Sequence, residues 1–247
     1  MMSAIAEAAT ASDRLRAKLQ PILAEVAARS ELMAEHEGVR QVYVALLRLL
    51  YSEVRASVPL LLAAERAALK RAPVDQVAAG IAGWLREHAL EEQHHDEWLL
   101  EDYAATGGDP GELLRLSGSP TIAAMVGSVY YWTLHAHPVA IPGYCAVLEG
   151  SPPSQAFIGQ LEERTHYPAQ AFHTLRQHSD VDVDHAAEVF NLIDRLPLGA
   201  EQEALIGMTA LQTADLLIAA ADELLEEFSD SSFRAPEPQA GHRRAPP

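Results

Sequence analysis

Apolar residues recur at every third or fourth position along most of this chain, and that spacing is typical of amphipathic α-helices. In residues 14–30 the apolar side includes Leu15 and Leu19, and the same spacing returns in residues 38–71. Residues 180–184 alternate between aspartate and valine, but they are too polar for a core strand and are interpreted as the start of a helix. The pattern therefore predicts an all-α fold.

Proline and glycine divide this pattern into separate helices. Pro59 is expected to bend or split the second helix, and Pro168 to interrupt a later one. The predicted helices cover residues 14–30, 38–71, 73–103, 111–116, 121–135, 139–149, 154–177, 181–196 and 199–228. We expect a single domain over residues 1–228, followed by a disordered tail over residues 229–247, which are rich in Pro, Ser and Arg.

Composition narrows the classes of function. The chain has 247 residues, 49% of them hydrophobic, and a formal net charge of -17. A chain this acidic is unsuited to nucleic acid or to an anionic membrane surface, so neither is expected as a partner. Cys145 is the single cysteine, which excludes an intrachain disulfide and a multi-cysteine zinc site. The N-terminal residues lack a signal-peptide pattern and the apolar run 42–50 is too short to span a bilayer, so we expect a cytoplasmic protein.

Histidines and carboxylates are concentrated in one segment of the third predicted helix. On a helix, His88, Glu91 or Glu92, and His95 lie at i, i+3 or i+4, and i+7, and therefore share one face. Glu92 also precedes His95 by three residues, the spacing with which helix bundles present a carboxylate and an imidazole to a shared metal pair. This segment is a candidate source of metal ligands.

A second segment repeats the geometry. His178, Asp182 and His185 lie at i, i+4 and i+7, and Asp182 precedes His185 by three residues. Between the two segments, Glu149 directly follows the apolar run 121–148 and is the only acidic residue of that region. An unpaired carboxylate would be costly to bury there, and a metal ion would remove that cost.

Each segment also has an ordinary explanation. The charged run 91–97 suits a solvated helix face, and residues 178–185 suit the polar end of an exposed helix. The two matched segments together with Glu149 favour a metal site. Imidazole and carboxylate without thiolate suit iron or manganese better than zinc, although ligand type alone also permits hydrolysis by a two-metal site.

Three motifs resemble those of the heme-oxygenase-like diiron oxidases and oxygenases in their order and spacing. They are residues 91–98, 137–151 and 178–185. The resemblance implies a seven-helix heme-oxygenase-like bundle whose core helices hold two Fe(II) ions, with O2 as the cosubstrate. It also implies the metal ligands Glu92, His95, Glu149, His178, Asp182 and His185, with Glu149 as the bridging carboxylate.

The chain departs from this family at the first motif. Some relatives have a ligating Glu where this chain has His88, so His88 or Glu91 is the alternative ligand from that helix. The resemblance also leads us to expect Gly before His95, where this chain has His94. The function implied is oxidative cleavage, desaturation or N-oxygenation of a small amino acid, amine or fatty acid in a biosynthetic pathway. The possible partners are an external electron donor and a second copy of the chain in a homodimer.

Three alternative functions are considered beside the diiron oxidase. Heme cleavage needs an axial histidine on an early helix, and His36 is the only candidate before His88. Thiaminase-like hydrolysis uses a cysteine nucleophile beside acidic groups, whereas Cys145 stands alone among apolar residues and is interpreted as a small buried residue. A metal-free binding module would use the apolar helix 199–228 as a partner or dimer interface. The aliphatic residues suggested for a substrate pocket are Val126, Val129, Ile141 and Leu148.

Overall fold

The fold consists of α-helices joined by short turns. The computed structural model describes residues 9–150 and 152–229, and for residues 180–184 it describes the backbone but not the side chains. The α-helices are α1 Ala11–Glu35, α2 Val39–Arg71, α3 Gln76–Glu91, α4 His95–Ala105, α5 Pro110–Leu114, α6 Pro120–Tyr131, α7 Ile141–Leu148, α8 Gln155–Thr165, α9 His173–Arg195 and α10 Ala200–Ser229. A π-helical turn, Trp132–Ala136, and two 3-10 turns, Pro138–Ala140 and Ala169–Phe172, connect some of them. These residues contain no β-strand, so the all-α prediction is confirmed.

The expected count of seven helices is wrong, because the described residues form ten α-helices. Two segments that were predicted as single helices are interrupted. His94 takes a left-handed backbone with φ of 72°, which separates α3 from α4. After Tyr131 the α-helix gives way to the π-helical turn. A new 3-10 turn then begins at Pro138, which has no N–H to continue the preceding helix.

Two predicted helix breaks do not occur, the one at Pro59 and the one between residues 177 and 181. α2 continues through Pro59, because its contacts with α3, α4 and α6 hold the helix where one backbone hydrogen bond is lost. α9 begins at His173, so residues 180–184 lie inside a helix and not at its start. The predicted disordered tail lies outside the described residues, except for Ser229, which ends α10.

The short helix α7 is enclosed by its neighbours, and this places its end in the interior. Every residue from Ile141 to Val147 is buried. At Gly143 the helix approaches α10 so closely that a β-carbon would lie 2.2 Å from the carbonyl oxygen of Ile206. Because α7 stays buried to its last turn, Glu149, which caps its C-terminus, also lies inside the protein.

The helix α10 is long and apolar enough, by length and composition, to cross a bilayer. In this fold it packs against α1, α6 and α7, and 50% of its most apolar stretch is buried by those contacts. A core helix of a bundle has the same composition, so packing inside the protein accounts for its apolar character.

Candidate metal centre

Three places in the fold bring the candidate ligands together. The junction of α3 and α4 supplies His88, Glu92 and His95, the C-terminus of α7 supplies Glu149, and α9 supplies His178 and His185. The side chain of Asp182, the remaining predicted ligand, lies outside the described side chains.

The break between α3 and α4 determines how the first segment reaches the interior. Glu92 caps the C-terminus of α3, and His94 then adopts a left-handed backbone conformation before α4 starts at His95. This is the conformation that glycine adopts at low cost, which explains why glycine is expected at position 94 in the family resembled. After the break, Glu92 Oε2 lies 3.2 Å from His95 Nδ1.

Glu92, His95 and His178 form the first group of candidate ligands, because one ligand atom from each lies within 4.8 Å of the other two. The Nδ1–H of His178 donates a hydrogen bond to the carbonyl oxygen of Thr174 at 2.9 Å. That bond leaves Nε2 of His178 with its lone pair, which is the arrangement typical of a histidine that binds a metal.

His88, Cys145 and Glu149 form the second group, with the same spacing of their ligand atoms. His88 Nε2 lies 2.9 Å from Glu149 Oε1 and 3.8 Å from Cys145 Sγ. The expectation that Cys145 stands alone among apolar residues is therefore wrong. Cys145 and Glu149 are four residues apart on α7, so the helix brings both side chains to one face.

His185 lies between the two groups. Its Nε2 is 3.7 Å from Glu91 Oε2 and its Nδ1 is 4.0 Å from Glu92 Oε1, while its ring meets that of His88 edge-on at 5.3 Å. Glu91 itself is half-exposed, and its Oε2 lies 3.6 Å from His88 Nδ1. The structure thus brings together every predicted ligand whose side chain it describes, including both alternatives for the first helix.

Several polar atoms in this cluster are buried without a hydrogen-bond partner. They are Oε2 of Glu149, Nδ1 of His95 and Nδ1 of His185. Glu92 is close to His95, but the direction of approach is not that of a hydrogen bond. An unpaired buried polar atom costs free energy, and a metal ion bound in this cluster would remove that cost for these three atoms.

The protonation of the cluster follows from its charges. Burial opposes the charged form of His88, but its hydrogen bond to Glu149 and the negative charges of Glu149, Glu92 and Glu91 raise its pKa to about 9. Burial also opposes ionisation of Glu92, yet the imidazoles of His95, His88 and His178 hold its pKa below the usual value. The cluster is therefore an anionic site that attracts positive charge.

Burial lowers the pKa of His178 and keeps this imidazole neutral. Burial, together with the negative charges of Glu149 and Glu92, raises the pKa of the Cys145 thiol well above its usual value. A neutral imidazole is ready to bind a metal, whereas a thiol must first lose its proton. His178 is therefore better prepared than Cys145 as a ligand.

Residues behind the cluster hold the candidate ligands in position. Trp98 stacks on His95 with ring centres 4.0 Å apart, and Trp84 stacks on His88 at 4.9 Å. Asp102 of α4 is fully buried and accepts hydrogen bonds from the backbone N–H groups of His173 at 3.1 Å and Thr174 at 2.9 Å. Because no side chain within α9 caps its N-terminus, Asp102 performs this role from another helix.

Sequence reasoning missed Glu53 of α2, which lies beside the cluster. Its Oε1 accepts a hydrogen bond from the Tyr144 hydroxyl at 2.6 Å. The pKa of Glu53 is raised to about 7, mainly by burial and also by the charges of Glu92 and Glu149, while the Tyr144 hydrogen bond acts in the opposite direction. α2 also carries Glu65 and several basic residues, so Glu53 did not stand out in the sequence as Glu149 did.

An apolar cavity of about 410 Å³ opens beside the cluster. His88, Glu92, Glu149 and His178 line one part of it. Aliphatic residues from three helices line much of the rest, among them Leu46, Leu49, Leu50, Leu148, Leu217 and Ile218. Of the four pocket residues suggested by the sequence, Leu148 lines the cavity, whereas Val126, Val129 and Ile141 are packed in the core. Pocket and core residues are equally apolar, which is why the pattern did not separate them.

Solved structures share this fold. A domain of unknown function with a heme oxygenase-like fold from Shewanella denitrificans is 16% identical, covers 90% of this chain and 97% of its own, and has a TM-score of 0.74. A CADD-like protein of unknown function from Nostoc punctiforme has 15% identity, coverages of 87% and 97%, and a TM-score of 0.66. A TenA homologue from Pseudomonas syringae has 13% identity, coverages of 91% and 98%, and a TM-score of 0.60. At these identities the likeness establishes a heme-oxygenase-like fold.

The sequence also matches a protein family, although no curated protein sequence matches it. The match covers residues 67–217, more than half of the chain, and includes all of the candidate ligands described above. The family is described as iron-containing redox enzymes. This chain therefore belongs to the iron-containing redox enzymes and adopts their heme-oxygenase-like fold.

Proposed function

We propose that the protein is a nonheme diiron oxidase or oxygenase that uses O2 as cosubstrate. The observation that carries the proposal is the set of unpaired, buried atoms of His95, Glu149 and His185 in an anionic cluster of imidazoles and carboxylates. Two groups of candidate ligands lie side by side in it, and the family is one of iron-containing redox enzymes. Two adjacent groups support two ions better than one.

The donor set fits iron. Imidazole nitrogen and carboxylate oxygen suit Fe(II), and no cluster of thiolates is present among the described residues to favour zinc. Glu92, His95 and His178 would hold one ion, and Glu149 with His88 or His185 would hold the other. Glu149 has one oxygen free of any hydrogen bond, which would be available to a metal ion. Asp182 remains a proposed ligand on its sequence spacing.

Two bound Fe(II) ions would supply the electrons that reduce O2. The protein's own contribution is to position the ligands and the substrate. Thr174 orients the imidazole of His178, and the indoles of Trp84 and Trp98 fix the planes of His88 and His95. The aliphatic walls of the cavity exclude bulk water from the reacting end of a substrate. A small amino acid, an amine and a fatty acid are the substrate classes considered.

Anaerobic loading with Fe(II), followed by admission of O2, tests this proposal. We expect about two irons per chain and consumption of O2 that depends on the bound iron. The double variant His178→Ala with Asp182→Ala should lose both properties, whereas His135→Ala, which removes an exposed histidine, should keep them. Failure of the wild-type protein to bind iron, or an unchanged iron content in the double variant, would overturn the proposal.

A hydrolase is the second candidate, because Cys145 lies beside His88 and Glu149. A cysteine nucleophile requires a thiolate, and the raised pKa of this buried thiol opposes that state. Cys145→Ala should therefore leave iron binding and iron-dependent O2 consumption intact. If it abolished turnover of a substrate without changing the iron content, the hydrolase would be preferred.

Heme cleavage receives less support from the structure. His36 Nδ1 accepts a hydrogen bond from the backbone N–H of Gly38 at 2.9 Å, and His36 does not line the cavity. This histidine therefore stabilises the turn between α1 and α2. Titration with heme should give no absorption band typical of axial histidine ligation.

A further inference from the structure

The described residues that line the cavity have an unequal balance of charge. Glu31, Glu53, Glu92 and Glu149 are acidic, and none of the described lining residues is lysine or arginine. A carboxylate substrate would find no lysine or arginine to pair with there, and the imidazolium of His88 is already paired with Glu149. Burying the substrate's charge among other carboxylates would be costly. The protein part of the cavity therefore discriminates against anions.

Glu53 differs from the other buried carboxylates of the cavity. It belongs to neither group of candidate metal ligands, and Tyr144 is the partner of one of its oxygens, at 2.6 Å. Glu53 is only partly exposed and lines the cavity. Two bound metal ions would offset the charges of Glu92 and Glu149. The carboxylate of Glu53 would still need a cationic partner.

The volume and lining of the cavity indicate what kind of molecule would carry that cationic group. Its volume of about 410 Å³ lies in the range of pockets that enclose a small organic ligand. Leu46, Leu49 and Leu50 of α2 precede Glu53 by seven, four and three residues, so they lie on the same side of the helix as the carboxyl group. An apolar wall thus adjoins the Glu53 carboxyl group on α2.

We propose that Glu53, oriented by Tyr144, binds the protonated amino group of an aliphatic amine whose hydrocarbon chain fills the cavity. The Tyr144 hydroxyl donates to one carboxylate oxygen of Glu53, and the ammonium group donates to the other. Burial and the charge of Glu53 raise the pKa of Tyr144 well above its usual value, so Tyr144 keeps the proton that it donates. This assignment rests on the function proposed above and selects the amine among the three substrate classes.

Binding of three ligands with the same chain length tests the assignment: decylamine, decanol and decanoate. Their affinities are measured by calorimetry, anaerobically, on the Fe(II)-loaded protein and on the metal-free protein. We expect decylamine to bind at least about tenfold more tightly than decanoate in both forms. Glu53→Gln keeps the shape of the side chain and should weaken decylamine about tenfold while changing decanol less than about twofold.

Glu31→Gln is the matched control, because Glu31 lines the same cavity at an exposed position. It removes the same charge and should leave all three affinities within about twofold. Tyr144→Phe should weaken decylamine by less than Glu53→Gln does, since it removes the orienting donor and not the acceptor.

Three results would overturn the assignment. Decanoate could bind as tightly as decylamine, Glu53→Gln could weaken the three ligands equally, or Glu53→Gln could lower the iron content, which would make Glu53 a metal ligand. Failure of the diiron function is separate: the protein would then bind no iron, yet the metal-free chain would still prefer decylamine. If iron binds and O2 is consumed without a preference for the amine, only the substrate assignment fails.

Discussion

His137 and His185 are buried to the same extent, each with 8% of its surface exposed. The hydrogen bonds of His137 are complete, since Nε2 bonds to Asp75 Oδ2 at 2.9 Å and Nδ1 accepts from the N–H of Val139 at 3.0 Å. In His185, by contrast, Nδ1 has no hydrogen-bond partner, and Glu92 Oε1 is 4.0 Å from it. Residue type and burial are the same at both places, so completeness of hydrogen bonding separates a structural contact from a candidate binding site.

The carboxylates show the same difference. Asp75 accepts from the N–H groups of Val77 and Ala78 as the cap of α3, and these bonds together with His137 hold its pKa below the usual value. Glu149 has one oxygen bonded to His88 and one without a partner. The pair Asp75–His137 therefore joins the start of α3 to the segment before α7, whereas Glu149 retains capacity for a ligand.

The largest expected effect is on metal binding. His185→Ala should weaken Fe(II) binding by at least about 100-fold, because it removes a proposed ligand from between the two groups. His137→Ala should change metal affinity less than about threefold, but should lower the free energy of unfolding by about 2 kcal/mol because Asp75 loses its partner. Equilibrium dialysis with metal analysis gives the first quantity, and urea unfolding of the metal-free protein gives the second. Equal losses of metal affinity in the two variants would contradict the distinction.

Glu53 is another carboxylate without a complete set of partners, and its effect on the stability of the protein should depend on pH. Its pKa is about 7 in the folded protein and 4.5 in the reference state, so the metal-free folded chain binds the proton more tightly than the unfolded chain does. The free energy of unfolding should therefore fall as pH rises from about 4.5 to about 7, with a total contribution of about 3 kcal/mol. Glu53→Gln should remove this contribution and be more stable than wild type at about pH 8, but not at about pH 5.

Urea unfolding at both pH values checks this prediction, and the difference between variant and wild type isolates Glu53 from the other titrating groups. Glu31→Gln again serves as the control, with no pH-dependent difference expected at its exposed position. A Glu53→Gln variant that is less stable than wild type at the higher pH would show that its carboxylate stabilises the metal-free fold.

Much of the fold followed from helical periodicity, and part of the site followed from unusual residues in apolar surroundings. Glu149 was recognisable because it is the single acidic residue of an apolar region. Glu53 was not, because a polar residue in a long amphipathic helix is interpreted as solvent-facing until the position of the next helix is known. The nearness of Cys145 to His88 was also hidden, since α3 and α7 are separated by 57 positions at this contact.

The break at His94 escaped prediction for a different reason. Histidine adopts the left-handed backbone more often than most residues but far less readily than glycine, so its presence alone did not predict a break, and only comparison with the glycine expected there marked the position. The family resemblance therefore located the feature, and the structure supplied its physical meaning, a left-handed break between Glu92 and His95, which belong to one group.

A smaller effect is expected at Asp102, which supports α9 from outside. Asp102→Ala should lower the free energy of unfolding by about 2 kcal/mol, because two backbone N–H groups at the start of α9 lose their acceptor. It should also weaken metal binding about tenfold through Thr174 and His178. Asp109→Ala, which removes the exposed cap of α5, should cost less than about 1 kcal/mol and leave metal binding unchanged. If the two variants behaved alike, the buried cap would not support the site.

The smallest effect is expected at His94. His94→Gly should raise the free energy of unfolding by about 0.5 kcal/mol, since relief of the left-handed strain exceeds the added entropy of glycine in the unfolded chain. The exposed contact of His94 with Glu97 adds little. Thermal unfolding measures the change, and His94→Ala is the control in which no strain is relieved. A stabilised alanine variant would contradict the backbone explanation.

The cap that Asp102 places on α9 also has a kinetic consequence. The acceptor and the N–H groups that it serves are separated by 71 and 72 positions in the chain, so the first turn of α9 gains its cap only after α4 has docked. Contacts of such high sequence separation carry a loop-closure cost that local helix formation does not. The chain should thus form its helices early in folding and complete the cluster late. Because the cluster is then absent from the folding transition state, metal ions should slow unfolding and have little effect on the rate of folding.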